Sequence, residues 1–380
     1  MSSSLPRMDL DAMVPLPTLK TQCGPGRGFG MAVCPTLGLL VTSNLDDNSL
    51  TVFALPGCIK PGTDGGGGVG LTRVCTLGGD WSPAPMQFKF QDEFCEVSWP
   101  SGFVAFMGPA TSRLLLATDA GHNAVHVIDV AGRVHVGYVA TPGAIAGPRG
   151  VAATGSLVAV SCWNYLEHVV RVFEGSGAMW IAVRVVDGDF GGPGSADGQL
   201  HVPFGLRFTC DGKGLAVADA YNDRVSVFLV EDGSFVRHVS RGLDRPYDVE
   251  ECEGGWLVAC PLTHTIAAVG GGSVGSGGDS GEGRARLGKW GTWDGEFMWP
   301  SALALVPGLG LVVRELDNGG RVQVFVTPDA IAMASMSARR VAWMVAVARG
   351  GSRRSQGSAI PLAHETRTRQ RGKRGRVEPH

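Results

Sequence analysis

The chain has no apolar run near the roughly 20 residues that a membrane-crossing helix requires; its longest candidate is VAWMVAVA at 341–348. The opening MSSSLPRMDLDAM lacks a charged start followed by an apolar stretch, so no secretory signal is expected. Nine cysteines stand at 23, 34, 58, 75, 95, 162, 210, 252 and 260 without one C-x-x-C pair, which excludes zinc-finger and RING spacing. Several fall inside predicted strands, where a free thiol packs as a small hydrophobe. Reduced cysteines, a cytoplasmic location and no membrane contact are the expectation. No catalytic or metal signature stands out either, so no catalytic residue, metal or cofactor is assigned.

What the chain does have is a phrase that returns six times. Its fullest copy is VPFGLRF at 202–208 followed by GLAVADAYNDRVSVF at 214–228. The phrase is a Pro-x-Gly opening, an apolar strand, a turn, a second strand ending in Asp, a tight polar loop and a third strand. Looser copies begin at Gly28, Pro100, Pro148, Pro246 and Pro300. The shortest step, 43 residues from Pro203 to Pro246, matches a four-stranded propeller blade of about 40–50 residues. Apolar residues alternate or run for four to six positions between Gly, Pro and Asp clusters, which is the pattern of strands. None of the copies offers the apolar stripe of a helix.

The architecture expected is therefore all-β, a six-bladed propeller over residues 23–330. Fourth, outer strands are placed at 71–77, 180–186 and 234–240. The glycine-rich tracts at 65–68 and 270–283 lengthen hairpins between third and fourth strands, where extra loop length costs little. The sixth copy has only three strands. The N-terminal segment 1–22 has no blade of its own, so its stretch 14–20 is expected to supply the missing outer strand and close the ring.

Charge is split along the chain. Residues 339–380 hold eleven Lys or Arg against two Glu, a net of +9, which leaves 22 basic and 33 acidic residues, a net of −11, in 1–338. The segment 331–380 is read as a basic, disordered tail. Its RTRQRGKRGR run at 367–376 keeps nucleic-acid binding and a nuclear address open.

Copies four and six carry a family likeness. GSADGQLHVPFGL at 194–206, with Asp219, Asn222, Arg224 and the strand VSVF, resembles an NHL repeat, and GTWDGEFMWPSAL at 291–303, with Arg321, repeats it. Copy two retains Pro100, Gly102, Asp119 and Asn123. The resemblance implies a recruiting domain that docks a protein or peptide, in some relatives as the substrate-binding part of a ubiquitin ligase, although the RING and coiled-coil parts are missing here. Two other readings stay open: a metal-dependent propeller hydrolase or lyase with a site at the channel mouth, and RNA binding through the basic tail.

Strand order places the Pro-x-Gly openings and the polar loops on one face of the disc. Candidate docking residues there are Trp163, Tyr165, His168, Tyr221, Arg224, His264 and Arg321, since aromatic and Arg side chains in exposed loops anchor interfaces. Asn44, Asp119, Asn123, Asp219, Asn222 and Asp317 are read as turn residues whose side chains accept following backbone N–H groups. His122, His168 and His264 lie on three such loops, the one arrangement that could offer imidazoles to zinc. A monomer is expected.

Overall fold

The structure, a computed structural model, describes residues 10–15, 27–46, 49–55, 72–78, 104–106, 113–140, 143–175, 184–185, 190–253, 255–270, 285–306 and 310–326. All belong to the first of the two units into which the chain divides, Met1–Ile331 and Ala332–His380. The basic segment, both glycine-rich tracts and the Pro100 opening lie outside the described residues.

A single turn of 3-10 helix at Leu10–Ala12 precedes β1 (Val14–Pro15). Blade one is β2 (Met31–Cys34), β3 (Leu39–Asn44), β4 (Ser49–Ala54) and β5 (Thr72–Gly78). Blade two is β6 (Val104–Phe106), β7 (Leu114–Asp119), β8 (Ala124–Asp129) and β9 (Val134–Tyr138). Blade three is β10 (Pro148–Thr154), β11 (Leu157–Trp163) and β12 (His168–Glu174), whose outer edge takes both β13 (Arg184–Val185) and β14 (Phe190–Gly191). Blade four is β15 (Pro203–Phe208), β16 (Gly214–Asp219), β17 (Arg224–Leu229) and β18 (Phe235–Arg241). Blade five is β19 (Asp248–Cys252), β20 (Gly255–Cys260), β21 (Thr265–Gly270) and β22 (Arg286–Leu287). Blade six is β23 (Pro300–Val306), β24 (Gly310–Glu315) and β25 (Val322–Val326).

Each sheet is antiparallel and runs in chain order from the inner strand outward. In blade six the outer place is taken by β1, with Val14 opposite Val326 and Pro15 opposite Phe325. Only positions 14 and 15 of the expected closing stretch 14–20 are described. Outer strands expected at 71–77 and 234–240 stand at 72–78 and 235–241, and the part of 180–186 that is described, β13, lies where expected.

Second strands such as β16 are buried along their whole length, because each blade is covered on both faces by its neighbours. That is why these segments read as apolar runs rather than strict alternation. Apolar clusters join every adjacent pair of blades: one to two, two to three to four, four to five, five to six, and six back to one. Six such seams leave no open side. The architecture is a closed six-bladed propeller.

The Pro-x-Gly openings have a physical cause. Ladder register slips at the proline in blades three, four and six, between Pro148 and Val151, Pro203 and Leu206, and Pro300 and Ala302. At the slip the first residues of the inner strand bond to an adjoining blade. Thr118 Oγ1 donates to Arg149 O at 2.7 Å, Gly205 N to Tyr247 O at 2.8 Å, and Ser301 Oγ to Gly28 O at 3.2 Å. A Cβ at Gly150 would stand 2.2 Å from Phe204 O, and one at Gly205 would stand 2.4 Å from Asp248 Oδ1. Glycine is required there by close approach rather than by its φ angle.

Six cysteines among the described residues carry free thiols; Cys34, Cys162, Cys252 and Cys260 are buried. No helix among the described residues is long and apolar enough to cross a membrane.

Candidate binding face

The loops between second and third strands and the inner-strand openings emerge on one face. Pro203 pairs with Asp219, which pairs in turn with Arg224. Pro148 pairs with Cys162, and Trp163 with His168. Two kinds of residue occupy this face, and the sequence alone mixes them.

The first kind holds the loops down. Arg224 and Arg321, expected on the docking surface, are buried. Arg224 bonds Asp219 Oδ2 at 2.8 Å and the carbonyls of Ser195, Ala196 and Gln199. Arg321 bonds Glu315 and the carbonyls of Thr292, Trp293 and Glu296. Each guanidinium clamps the loop that leads into its own blade.

Asp219 Oδ1 accepts His201 N at 2.6 Å, and Asn222 Nδ2 donates to Asp219 Oδ2 and to Gly194 O. Asp219 thus serves the preceding loop rather than the following N–H groups. In blade six the matching role belongs to Glu315, which accepts Met298 N at 2.8 Å and stands opposite Pro300. Asp317, two residues on, lies in the turn, where its backbone carbonyl accepts Gly320 N. Asp119 accepts the backbone N–H of His122, in its own turn, at 3.0 Å. Burial works to raise its pKa, but the bonds from His126 and His122 prevail and hold it below the usual carboxylate range. Asn44 Nδ2 donates to Ser49 and Thr51 while its Oδ1 accepts from Arg314 at 3.4 Å, and Asn123 accepts Gly147 N from the next blade's opening.

The second kind is exposed. Tyr165 and Leu166 have relative exposures of 105% and 85%. Their turn is fixed by Asn164 Oδ1, which accepts Leu166 N at 2.7 Å and Glu167 N at 3.0 Å. Beside it His168 stacks on His201 at 5.2 Å, His201 meets Tyr221 edge-on at 5.3 Å, and Arg245 lies 4.5 Å over the Tyr221 ring. This row crosses from blade three to the opening of blade five.

His264 occupies the left-handed turn position, φ 56°, that Asn123 and Asp223 fill in blades two and four. It is therefore one step out of line with His122, and its Nδ1 accepts Trp299 N at 3.2 Å. His122 is held by Asp119 and His168 by His201. The three imidazoles serve different local contacts, and no group of three or more His, Cys, Asp or Glu among the described residues is placed to hold a metal ion.

At the axis the middle residues of the openings meet. Phe29 of blade one lies 6.1 Å from Phe204 of blade four and 6.0 Å from Tyr247 of blade five, while Phe204 and Tyr247 stack at 4.5 Å. Blades one and four face each other across a ring of six, so these rings meet over the axis on the loop face. Trp163 joins them at 6.3 Å from Phe204, half-buried rather than exposed, and Arg149 stands 4.3 Å over its ring. Beyond the rings lies a cavity of about 100 Å³ walled by the inner strands of all six blades. Its charged lining is Arg207, paired with Glu250, and Asp248, whose Oδ2 accepts Leu303 N at 2.9 Å. Burial pushes the Asp248 carboxyl up to about 7. Sequence reasoning passed over Phe29, Phe204, Tyr247 and Asp248, although Phe204 and Tyr247 are legible as the residue after the opening proline, Phe29 as its counterpart after Gly28, and Asp248 as the residue in place of the glycine.

No family model matches the chain, and no curated protein matches it. The NHL resemblance of copies four and six therefore rests on their residues. Among solved structures the chain is similar to a hydrazine synthase of Kuenenia stuttgartiensis, 15% identical with a TM-score of 0.50 over 78% of this chain and 82% of that one. It is similar also to a nidogen–laminin complex structure, 14% identical with a TM-score of 0.45 over 69% and 77%. At 15% identity the likeness to the hydrazine synthase is one of fold.

Proposed function

We propose that the chain is a protein-interaction scaffold that docks a protein or peptide on the loop face of its propeller. The observation that carries this reading is the pair Tyr165 and Leu166, large apolar side chains fully in solvent on a turn that Asn164 holds rigid. Such a pair buries little of its side-chain surface in the fold, and a pre-ordered turn lowers the entropy lost on docking. The neighbouring row of His168, His201 and Tyr221 extends the surface with the residue types that anchor interfaces. Recruitment of substrates for ubiquitination is the finer role the NHL likeness suggests.

Tyr165→Ser with Leu166→Ser tests the reading. Proteins retained by the full chain in a pull-down should be depleted at least about tenfold with the double variant, at an unchanged Tm. The same partner list from both would remove the loop face as the docking surface. Ubiquitin-ligase subunits among the depleted partners would support the recruiting role, and their absence would argue against it.

A further inference from the structure

We infer that the axial mouth on the loop face is built to receive a carboxylate, the Asp or Glu side chain of a docked peptide, on Arg149 and Trp163. The inference rests on the docking reading above and adds the chemistry of the partner.

Arg149 is the middle residue of blade three's Pro-x-Gly opening, and the Trp163 ring against which it stands lies 6.3 Å from Phe204, one of the three rings gathered at the axis. Its guanidinium lies over the Trp163 ring, which fixes the fork in one plane. The other arginines of this face are satisfied: Arg224 and Arg321 by carboxylates and carbonyls, Arg245 by the exposed Tyr221 ring. Arg149 has no ion pair among the described residues, and its Nε is buried without an acceptor. Trp163 Nε1 beside it is also buried without an acceptor. Two adjacent donors left bare, one of them cationic, are costly in a half-buried site. Burial alone lowers the Arg149 pKa to about 10, which still leaves it charged at neutral pH.

The group that answers such a cation through its outer nitrogens is a planar anion with oxygen acceptors, which a guanidinium binds in a fork. A peptide carboxylate fits better than a nucleic-acid backbone. One cation can neutralise one acid, whereas a phosphate chain would meet the net −11 of residues 1–338. Tyr165 and Leu166, two and three residues beyond Trp163, offer apolar contact to the side chains that flank the acid.

A random peptide library displayed on phage and selected against the full-length protein tests this, with Arg149→Met as the comparison. Met keeps the length and the stacking while removing the charge. Wild type should enrich peptides with Asp or Glu at a fixed position, each binding Arg149→Met at least about tenfold more weakly. Changing the peptide acid to its amide should cost the same amount and add nothing further in Arg149→Met. The variant's Tm should equal or exceed the wild-type value, since an unpaired cation has been removed. Enriched peptides that lack an acid, or that bind both proteins equally, overturn the inference while leaving the docking reading in place. A lowered Tm with unaltered peptide affinity assigns Arg149 to the fold and also overturns it. A single-stranded oligonucleotide that binds wild type but not Arg149→Met assigns the mouth to phosphate instead, with the same result. If no peptide is enriched and the Tyr165/Leu166 variant keeps its partners, both readings fall together.

Discussion

A methyl group on Gly205 would stand 2.4 Å from Asp248 Oδ1 and 2.7 Å from Tyr247 O, and one on Gly150 would stand 2.2 Å from Phe204 O. Backbone oxygens in a closed ring cannot retreat without moving a blade. Gly205→Ala and Gly150→Ala should each cost about 2–3 kcal/mol, the upper range for overpacking. Gly155 is the contrast: its φ of +54° is left-handed, yet nothing lies within 4 Å of an added Cβ. Gly155→Ala should cost only about 1–2 kcal/mol of backbone strain. Urea denaturation of the three variants checks the order, which reverses if strain outweighs contact. The space left by Gly205 is filled by the Asp248 carboxylate, raised to about 7 by burial. A carboxyl raised on folding contributes stability that is complete below its ordinary pKa near 4 and lost as pH climbs toward 7. Asp248→Asn should therefore gain Tm relative to wild type at pH 8, and the gain should shrink at pH 5. A gain that is the same at both pH values would show that Asp248 does not titrate in this range. None of this is legible in one copy of the repeat. Arg224 and Arg321 sit in polar loops by pattern, and the carbonyls that bury them come 25 to 29 residues earlier in the chain.

At the scale of elements the sequence was far more informative. Strand positions follow from apolar runs such as GLAVAD at 214–219, and these are set by blade-to-blade burial, which every copy repeats. Asp317, read as the turn residue of the sixth copy, lies two residues past Glu315, which ends its strand as Asp219 does in blade four. His264 was paired with His122 although it occupies the position of Asn123. Both errors are one or two residues in size, and the contacts that reveal them cross between loops. The N-terminal element is the most testable. Leu10 and Met13 are buried among Cys252, Leu257, Phe297 and Phe325, at the seam between blades five and six, and β1 pairs with β25. Burying two such side chains is worth about 3–6 kcal/mol. Removing residues 1–22 should lower Tm by on the order of 10 °C, and Leu10→Ala with Met13→Ala should reproduce most of the fall. An unchanged melt after the deletion would mean that blade six closes without β1.

The whole molecule joins two opposed charges, −11 over residues 1–338 and +9 over residues 339–380. Binding to a nucleic-acid backbone is driven by neutralised phosphates and counterion release, so its location should follow the cations and not the fold. The propeller's own arginines are largely committed: Arg224 and Arg321 to loop carbonyls, Arg207 to Glu250, Arg113 to Asp129. A ring of this sign repels a polyanion even where single arginines remain on its surface. RNA affinity, tested with a single-stranded oligonucleotide at low salt, is therefore expected in the full chain and lost on truncation after residue 338. Six to ten phosphate contacts made by the eleven cations of the removed segment would give log K a slope of about −4 to −7 against log salt. Such a slope in the full chain with no binding by the truncated one places the contact in the basic segment. Affinity that survives truncation with its slope intact would put the phosphate contacts on the propeller, and the charge partition would then have no bearing on where RNA binds.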